Sequence, residues 1–228
     1  MINVICQRRS NTARALRAAL AAFPNLRGDV NWTGAGVAGP ALNQHSFTNK
    51  LRQLEKLKEK NVPVPPFART GAAAGWLPRS ANHQQGFDFT RFNGRGKPRG
   101  LPPARADFFV KKLTLTHEWR LHFFKTKKGN LKLLRSGQRL PIPGHPRVHP
   151  WVRSHRLGWK ISYTGGASAG LVEAGRKAME ALNLDFGAVD LGVTAEGAPV
   201  VLEVNTCPGL EGGMLQKYVE AIKERLQP

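Results

Sequence analysis

Phe186-Gly187-Ala188-Val189-Asp190-Leu191 and, downstream, Val200-Val201-Leu202-Glu203-Val204-Asn205-Thr206-Cys207-Pro208-Gly209-Leu210 are the most informative segments of this chain. The runs 186–193 and 199–205 read as two strands of a hairpin around Ala195-Glu196-Gly197-Ala198. Strand side chains alternate between faces, so Glu203 and Asn205 share one. A four-residue turn pairs Val193 with Val200 and sets Asp190 directly opposite Glu203. Carboxylates facing each other across a ladder repel, and burying them among apolar residues costs more unless a cation lies between. Two carboxylates and a short amide are hard oxygen ligands that suit magnesium shared with phosphate oxygens. A solvated strand face is the plainer reading, but an acidic cluster in a chain this basic needs a reason.

That basicity is the second abnormal feature. The 228 residues include 35 Lys and Arg against 15 Asp and Glu, a formal net charge of +20. The excess is uneven: residues 91–160 carry +16, whereas residues 161–228 carry −4. Such a field attracts polyanions, among them nucleotides, nucleic acid and acidic peptides. The composition also excludes several classes. Cys6 and Cys207 are too few for a disulfide framework or a cysteine-rich zinc site. No apolar run is long enough to span a membrane, and the N-terminus does not read as a signal peptide, so a cytoplasmic protein is expected. No G-x-x-x-x-G-K-[ST] occurs, which excludes a P-loop ATPase.

Along the chain, residues 2–6 read as a first strand. Ser10 or Asn11 caps a helix to about Ala22, and residues 25–45 read as irregular. Ser46 opens a second helix, stopped by Asn61 and Pro63, with a strand expected over 62–67. Short strands are expected near 76–79 and 87–92, better ones over 107–112, 117–125 and 131–135, and a loop over 137–150. Helices follow over 170–182 and 213–226. Gly34-Ala35-Gly36-Val37-Ala38-Gly39 spells the dinucleotide fingerprint, but Pro40 follows it and no acidic strand end comes later, so it reads as a small-residue loop. His145 and His149 lie in a Pro-rich segment without acidic neighbours and read as packing histidines. In 117–123, Glu118, Arg120 and His122 share one face, and Arg120 offers a planar fork for phosphate or an oxyanion.

The hairpin segments, taken together, resemble the metal-binding hairpin of the ATP-grasp ligases. Upstream, 43–50 and 62–66 are similar to that superfamily's opening helix and following strand. Lys111-Lys112-Leu113 with Glu118 resembles its adenine-binding hinge and ribose-binding carboxylate. Order, spacing and small size look most like the short ATP-grasp proteins encoded by tailed phages. The resemblance implies an α+β ATP-grasp fold, with two α+β subdomains enclosing ATP after a reduced N-terminal Rossmann-like segment. The expected divisions are 1–45, 46–115 with the lid, and 116–228 with the hairpin.

It further implies an ATP- and magnesium-dependent carboxylate–amine ligase working through an acylphosphate. By position, Asp190, Glu203 and Asn205 would hold magnesium. Lys50 and Arg79 would reach the phosphates from opposite subdomains. The segment Val110, Lys111, Lys112 and Leu113, with Glu118, would take the nucleoside, mainly through backbone near the hinge. Ala188 stands where some ligases place an arginine, so Arg120 or Arg153 would supply that charge. The lid would fall near residues 82–100. Partners are a carboxylate substrate and an amine acceptor, with an acidic peptide or protein ahead of nucleic acid, and no membrane. Two alternatives stay open: a nucleic-acid-binding protein that keeps the fold, and an ATP-grasp small-molecule kinase. Cys207 as a nucleophile is the weaker reading of that thiol, since it follows the metal hairpin and precedes Pro208.

Overall fold

The computed structural model describes residues 1–6, 10–45, 47–70, 74–82, 91–92, 98–99, 105–146, 148–149, 152–211 and 213–227. The chain opens with a βαβ unit. Strands β1 (Ile2–Cys6) and β2 (Gly28–Trp32) pair in parallel, joined by α1 (Asn11–Leu20). Ser10 caps α1 by accepting the Ala13 N–H at 3.1 Å, and Ala13, Leu16 and Leu20 face inward at helical spacing. Strand β2 lies within the stretch expected to be irregular. Its composition, Gly-Asp-Val-Asn-Trp, disfavours a strand locally, and the parallel ladder with β1 supplies what propensity does not.

Helix α2 (Lys50–Glu59) starts later than expected, because Asn49 is the cap and accepts the Arg52 N–H at 3.0 Å. Ser46 lies outside the described residues. The strand expected over 62–67 is reduced to β3 (Phe67–Ala68), since Pro63, Pro65 and Pro66 remove ladder donors. With β7 (Phe108–Lys111) and β4 (Trp76–Arg79) it forms an antiparallel sheet in the order β3-β7-β4. Between them, β5 (Arg91–Phe92) and β6 (Pro98–Arg99) form a two-stranded ribbon. Most of the expected lid lies outside the described residues.

The main sheet is antiparallel, in the order β10-β9-β8-β11-β12. It comprises β8 (Leu115–Lys125), β9 (Leu131–Pro141), β10 (Trp159–Ser162), β11 (Phe186–Thr194) and β12 (Pro199–Asn205). Strand β9 runs to Pro141, beyond the end expected at residue 135, and β10 pairs with that extension. Gly137 makes the pairing close: a Cβ there would collide with Ile161 and Tyr163. One face of the sheet packs on α3 (Ala169–Ala181) and α2, burying Leu121, Phe123, Val189, Leu191, Val201 and Val204. Gly175 of α3 lets the helix approach Phe123, which a Cβ would meet at 2.8 Å.

At one end of the opposite face lies an aromatic cluster that also takes in the N-terminal unit and α4 (Met214–Leu226). Trp32 stacks on Phe186 with centroids 5.0 Å apart, and Phe186 stacks on Phe124 at 5.8 Å. Each such pair contributes about 1 kcal/mol beyond area burial. His122 is buried there rather than in the cleft, and burial pushes its pKa down to about 3. Tyr218 donates to the Gly187 carbonyl, so its hydroxyl accepts from His122 Nδ1 and the neutral ring carries its proton on that nitrogen. The other end of this face is open and forms the floor of a cleft under the small sheet. Among the described residues no helix is long and apolar enough to cross a membrane.

Candidate active site

The hairpin β11–β12 brings Asp190 opposite Glu203, but not through the register expected at the turn. Val193 pairs with Pro199, one residue off, and a β-bulge between Asp190 and Leu191 restores the alignment. The bulge leaves Leu202 unpaired beside Glu203. Asp190 is also the cross-strand partner of Arg120 on β8. Arg120 binds it with two bonds of 2.6 Å, Nε to Oδ1 and Nη2 to Oδ2. Arg139 of β9 adds Nη2 to Oδ2 at 3.2 Å, and the Asn205 amide lies 3.4 Å from the same oxygen. Burial opposes ionisation of Asp190, yet the two guanidiniums hold its pKa below the ordinary carboxylate range. Glu203 faces Lys50, Nζ to Oε2 at 3.4 Å.

Lys50 comes from the first turn of α2, and its own N–H donates to the Ala81 carbonyl at 2.7 Å. Ala81 lies two residues beyond Arg79 of β4, so Lys50 and Arg79 approach from the same wall. This corrects the expectation of opposite subdomains. Both line a cavity of about 270 Å³ between the small and main sheets. The apolar Leu77, Phe108, Val110, Leu113 and Val152 line it together with the charged Glu118, Arg120, Arg139, Arg153, Asp190 and Glu203. Asn205 stands against Asp190. In the hinge, the Lys111 and Lys112 N–H groups donate to Pro66 and Gly75 carbonyls, so a backbone donor toward a base would fall to Leu113.

Glu118 sits between Arg153 Nε at 3.5 Å and Arg139 Nε at 3.7 Å. Burial nevertheless pushes its pKa from 4.5 up to about 7, against the pull of both arginines. A carboxyl raised on folding binds more protons in the native state than in the unfolded one between those two values. Stability should therefore fall as pH rises from 4.5 to about 7 and be level above. Glu118→Gln should flatten that slope in urea titrations across the interval; an unchanged slope would assign it elsewhere.

Arg139 is a charged cleft residue missing from the sequence expectations, because the strand expected over 131–135 stops four residues before it. The signal was present: Gly137 and Arg139 continue the alternation of a strand pairing with 119–120. Arg153 reaches the site from the segment before β10, donating to the Leu115 carbonyl at 2.9 Å and lying over Trp159. His149 accepts the Val152 N–H at 2.9 Å and serves that loop rather than a metal. The 34–39 loop follows β2, and no helix opens inside it, so it is not a dinucleotide turn. Desolvation raises the Cys207 thiol, which keeps it protonated.

Among the described residues no group of three or more His, Cys, Asp or Glu is placed to hold a metal ion. A metal at the hairpin would rest on two carboxylates and one amide, with its remaining ligands from a bound molecule. That donor set fits magnesium held against phosphate. It requires the Arg120, Arg139 and Lys50 contacts to pass to the same anion.

No protein-family model and no curated protein matches the chain. Solved structures do. The ATP-grasp ligase PsnB, complexed with a minimal precursor, superposes with a TM-score of 0.65 at 12% identity over 99% of both chains. A second PsnB structure, with a phosphomimetic precursor variant, Mg and ADP, gives 0.64 at 11%, over 99% of this chain and 98% of that one. The D-cycloserine synthetase DcsG gives 0.61 at 14% over 99% of both chains. D-alanyl-alanine synthetase A from Vibrio cholerae gives 0.60 at 13%, over 96% of this chain and 92% of that one. At these identities the likeness is one of fold, and the fold of this chain is the α+β fold of the ATP-grasp ligases.

Proposed function

We propose that the chain is an ATP- and magnesium-dependent carboxylate–amine ligase. The observation that carries this reading is the cleft's composition: apolar side chains and seven Lys and Arg share one cavity with the Asp190–Glu203 pair. A neighbour in fold that was solved with Mg and ADP agrees with it. The nucleoside would lie against Val110 and the hinge 111–113, with Glu118 near the ribose. Lys50 and Arg79 would bind the phosphates from the small-sheet wall. Asp190, Glu203 and Asn205 would hold magnesium, which when bound neutralises phosphate charge. Arg120 and Arg153, joined by Arg139, would stabilise the transferring group, because phosphoryl transfer asks mainly for positioning and electrostatics.

In this scheme a substrate carboxylate oxygen attacks the terminal phosphorus, ADP leaves, and an acylphosphate forms. An amine then attacks the carbonyl carbon, phosphate departs and the nitrogen loses a proton. Residues 46–115 and 116–228 would be the two gripping subdomains and 1–45 the reduced leading segment. Likeness to the short phage-encoded proteins and a cytoplasmic location belong to the same proposal.

The cavity wall holds seven Lys and Arg side chains against three carboxylates, beside the +16 of residues 91–160. We therefore place an acidic peptide or protein first as the partner, and nucleic acid second. ADP release by the purified chain, with magnesium and panels of amino acids, acidic peptides and oligonucleotides, tests the reading. Release that depends on a carboxylate together with an amine is expected. A phosphorylated product that accumulates with an amine present would point to a kinase. Binding of oligonucleotide without any ADP release would favour the nucleic-acid reading.

A further inference from the structure

Gln53 is buried, 1% exposed, and it sits one turn along α2 from Lys50. Its amide makes two bonds of 2.8 Å to one residue of β12: Nε2 donates to the Val204 carbonyl and Oε1 accepts the Val204 N–H. Strand β12 is outermost in the main sheet, and among the described residues no strand pairs with its outer edge. Gln53 therefore takes the place of a neighbouring strand at Val204, whose own neighbours are Glu203 and Asn205. Packing alone does not require a polar group here, since Leu54 and Leu57 already bury the helix face. A buried amide satisfied on both ends fixes a distance and an angle as well. The same turn of α2 is tied to the small sheet through the Lys50 N–H and Ala81.

We infer that Gln53 is a positioning residue: it locks the Lys50 wall to the carboxylate strand, so that both act on one phosphate chain at a fixed spacing. This inference rests on the ligase reading of the cleft. Leu57 still packs α2 on β12, but without the two bonds no polar contact fixes their offset, and the Lys50 Nζ to Glu203 spacing of 3.4 Å is no longer set. Nucleotide binding that needs magnesium uses both walls at once and should depend on Gln53. Binding through the hinge and cations alone should not.

The full chain, its Gln53→Met variant and its Gln53→Glu variant would be titrated calorimetrically with a non-hydrolysable ATP analogue, once with Mg2+ and once with EDTA. Gln53→Met should weaken the magnesium-dependent binding about tenfold, as removing a group that orients metal ligands does, and leave binding in EDTA unchanged. Gln53→Glu, kept neutral by burial, retains the acceptor for the Val204 N–H and a hydroxyl that can donate to the Val204 carbonyl, so it should lose less, again only with magnesium. Equal losses in Mg2+ and EDTA would reduce Gln53 to a packing role and overturn the inference, as would wild-type binding in either folded variant. If Gln53→Met does not fold, Gln53→Glu decides alone by the same comparison. A parent chain that binds no analogue in either buffer would instead refute the ligase reading itself.

Discussion

Glu203→Gln should lower magnesium-dependent ATP turnover by roughly 100-fold or more, because it removes the anionic ligand that the cleft presents opposite Asp190. The substitution is isosteric and Glu203 is only partly buried, so the fold should persist. Lys50 would lose its carboxylate at 3.4 Å and keep its place in α2, held by the Ala81 carbonyl and the Gln53 bonds. Nucleotide binding in EDTA should therefore survive, or tighten slightly, as a negative charge leaves the phosphate wall. Steady-state ADP release and a circular dichroism melt on the same preparation separate the two effects. Turnover equal to that of the parent would remove Glu203 from the metal site.

The second large effect is on stability. Arg120→Met takes the bidentate partner from a carboxylate whose side chain is 9% exposed, leaving Asp190 with Arg139 at 3.2 Å and the Asn205 amide. Breaking a buried pair from one side costs about 3 kcal/mol or more, since the remaining charge stays desolvated. The sign of its pH dependence follows from Asp190. Its pKa lies below 3.8 when folded, so the pair stabilises the protein above that value and is lost as pH falls through the folded pKa. The gap between parent and Arg120→Met should be full at neutral pH and shrink in strong acid. Urea denaturation at neutral and acid pH checks this, and equal stabilities at neutral pH would show that the pair contributes nothing net.

Much of this cleft was legible because its chemistry is written in strand alternation. Glu203 and Asn205 on one face, and Glu118 with Arg120 on another, follow from period two alone. What was not legible depends on contacts between distant segments. The bulge after Asp190 puts the consecutive Leu202 and Glu203 both on the cleft, where simple alternation would place them on opposite faces. Strand β2 has a loop's composition and exists because β1 pairs with it. The extension of β9 past Ser136 crosses a glycine that looks like a break, and is one only until β10 is seen closing over it. Arg139 was hidden with that extension. Gln53 is a polar position on a charged helix, and nothing local shows that the edge of β12 lies against it. His122 shares its alternation with Glu118 and Arg120, yet the sheet's far end turns that face into an aromatic core.

Whether this cleft is a metal-dependent nucleotide site can be tested without knowing either ligase substrate. ATP would be titrated calorimetrically into the full chain at moderate salt, with Mg2+ and then with EDTA. Saturable binding of one nucleotide per chain is expected, strengthened by magnesium in the parent and indifferent to the metal in Glu203→Gln. Absence of saturable binding in both buffers, or affinity in the parent chain that magnesium leaves unchanged, would contradict a metal-dependent site.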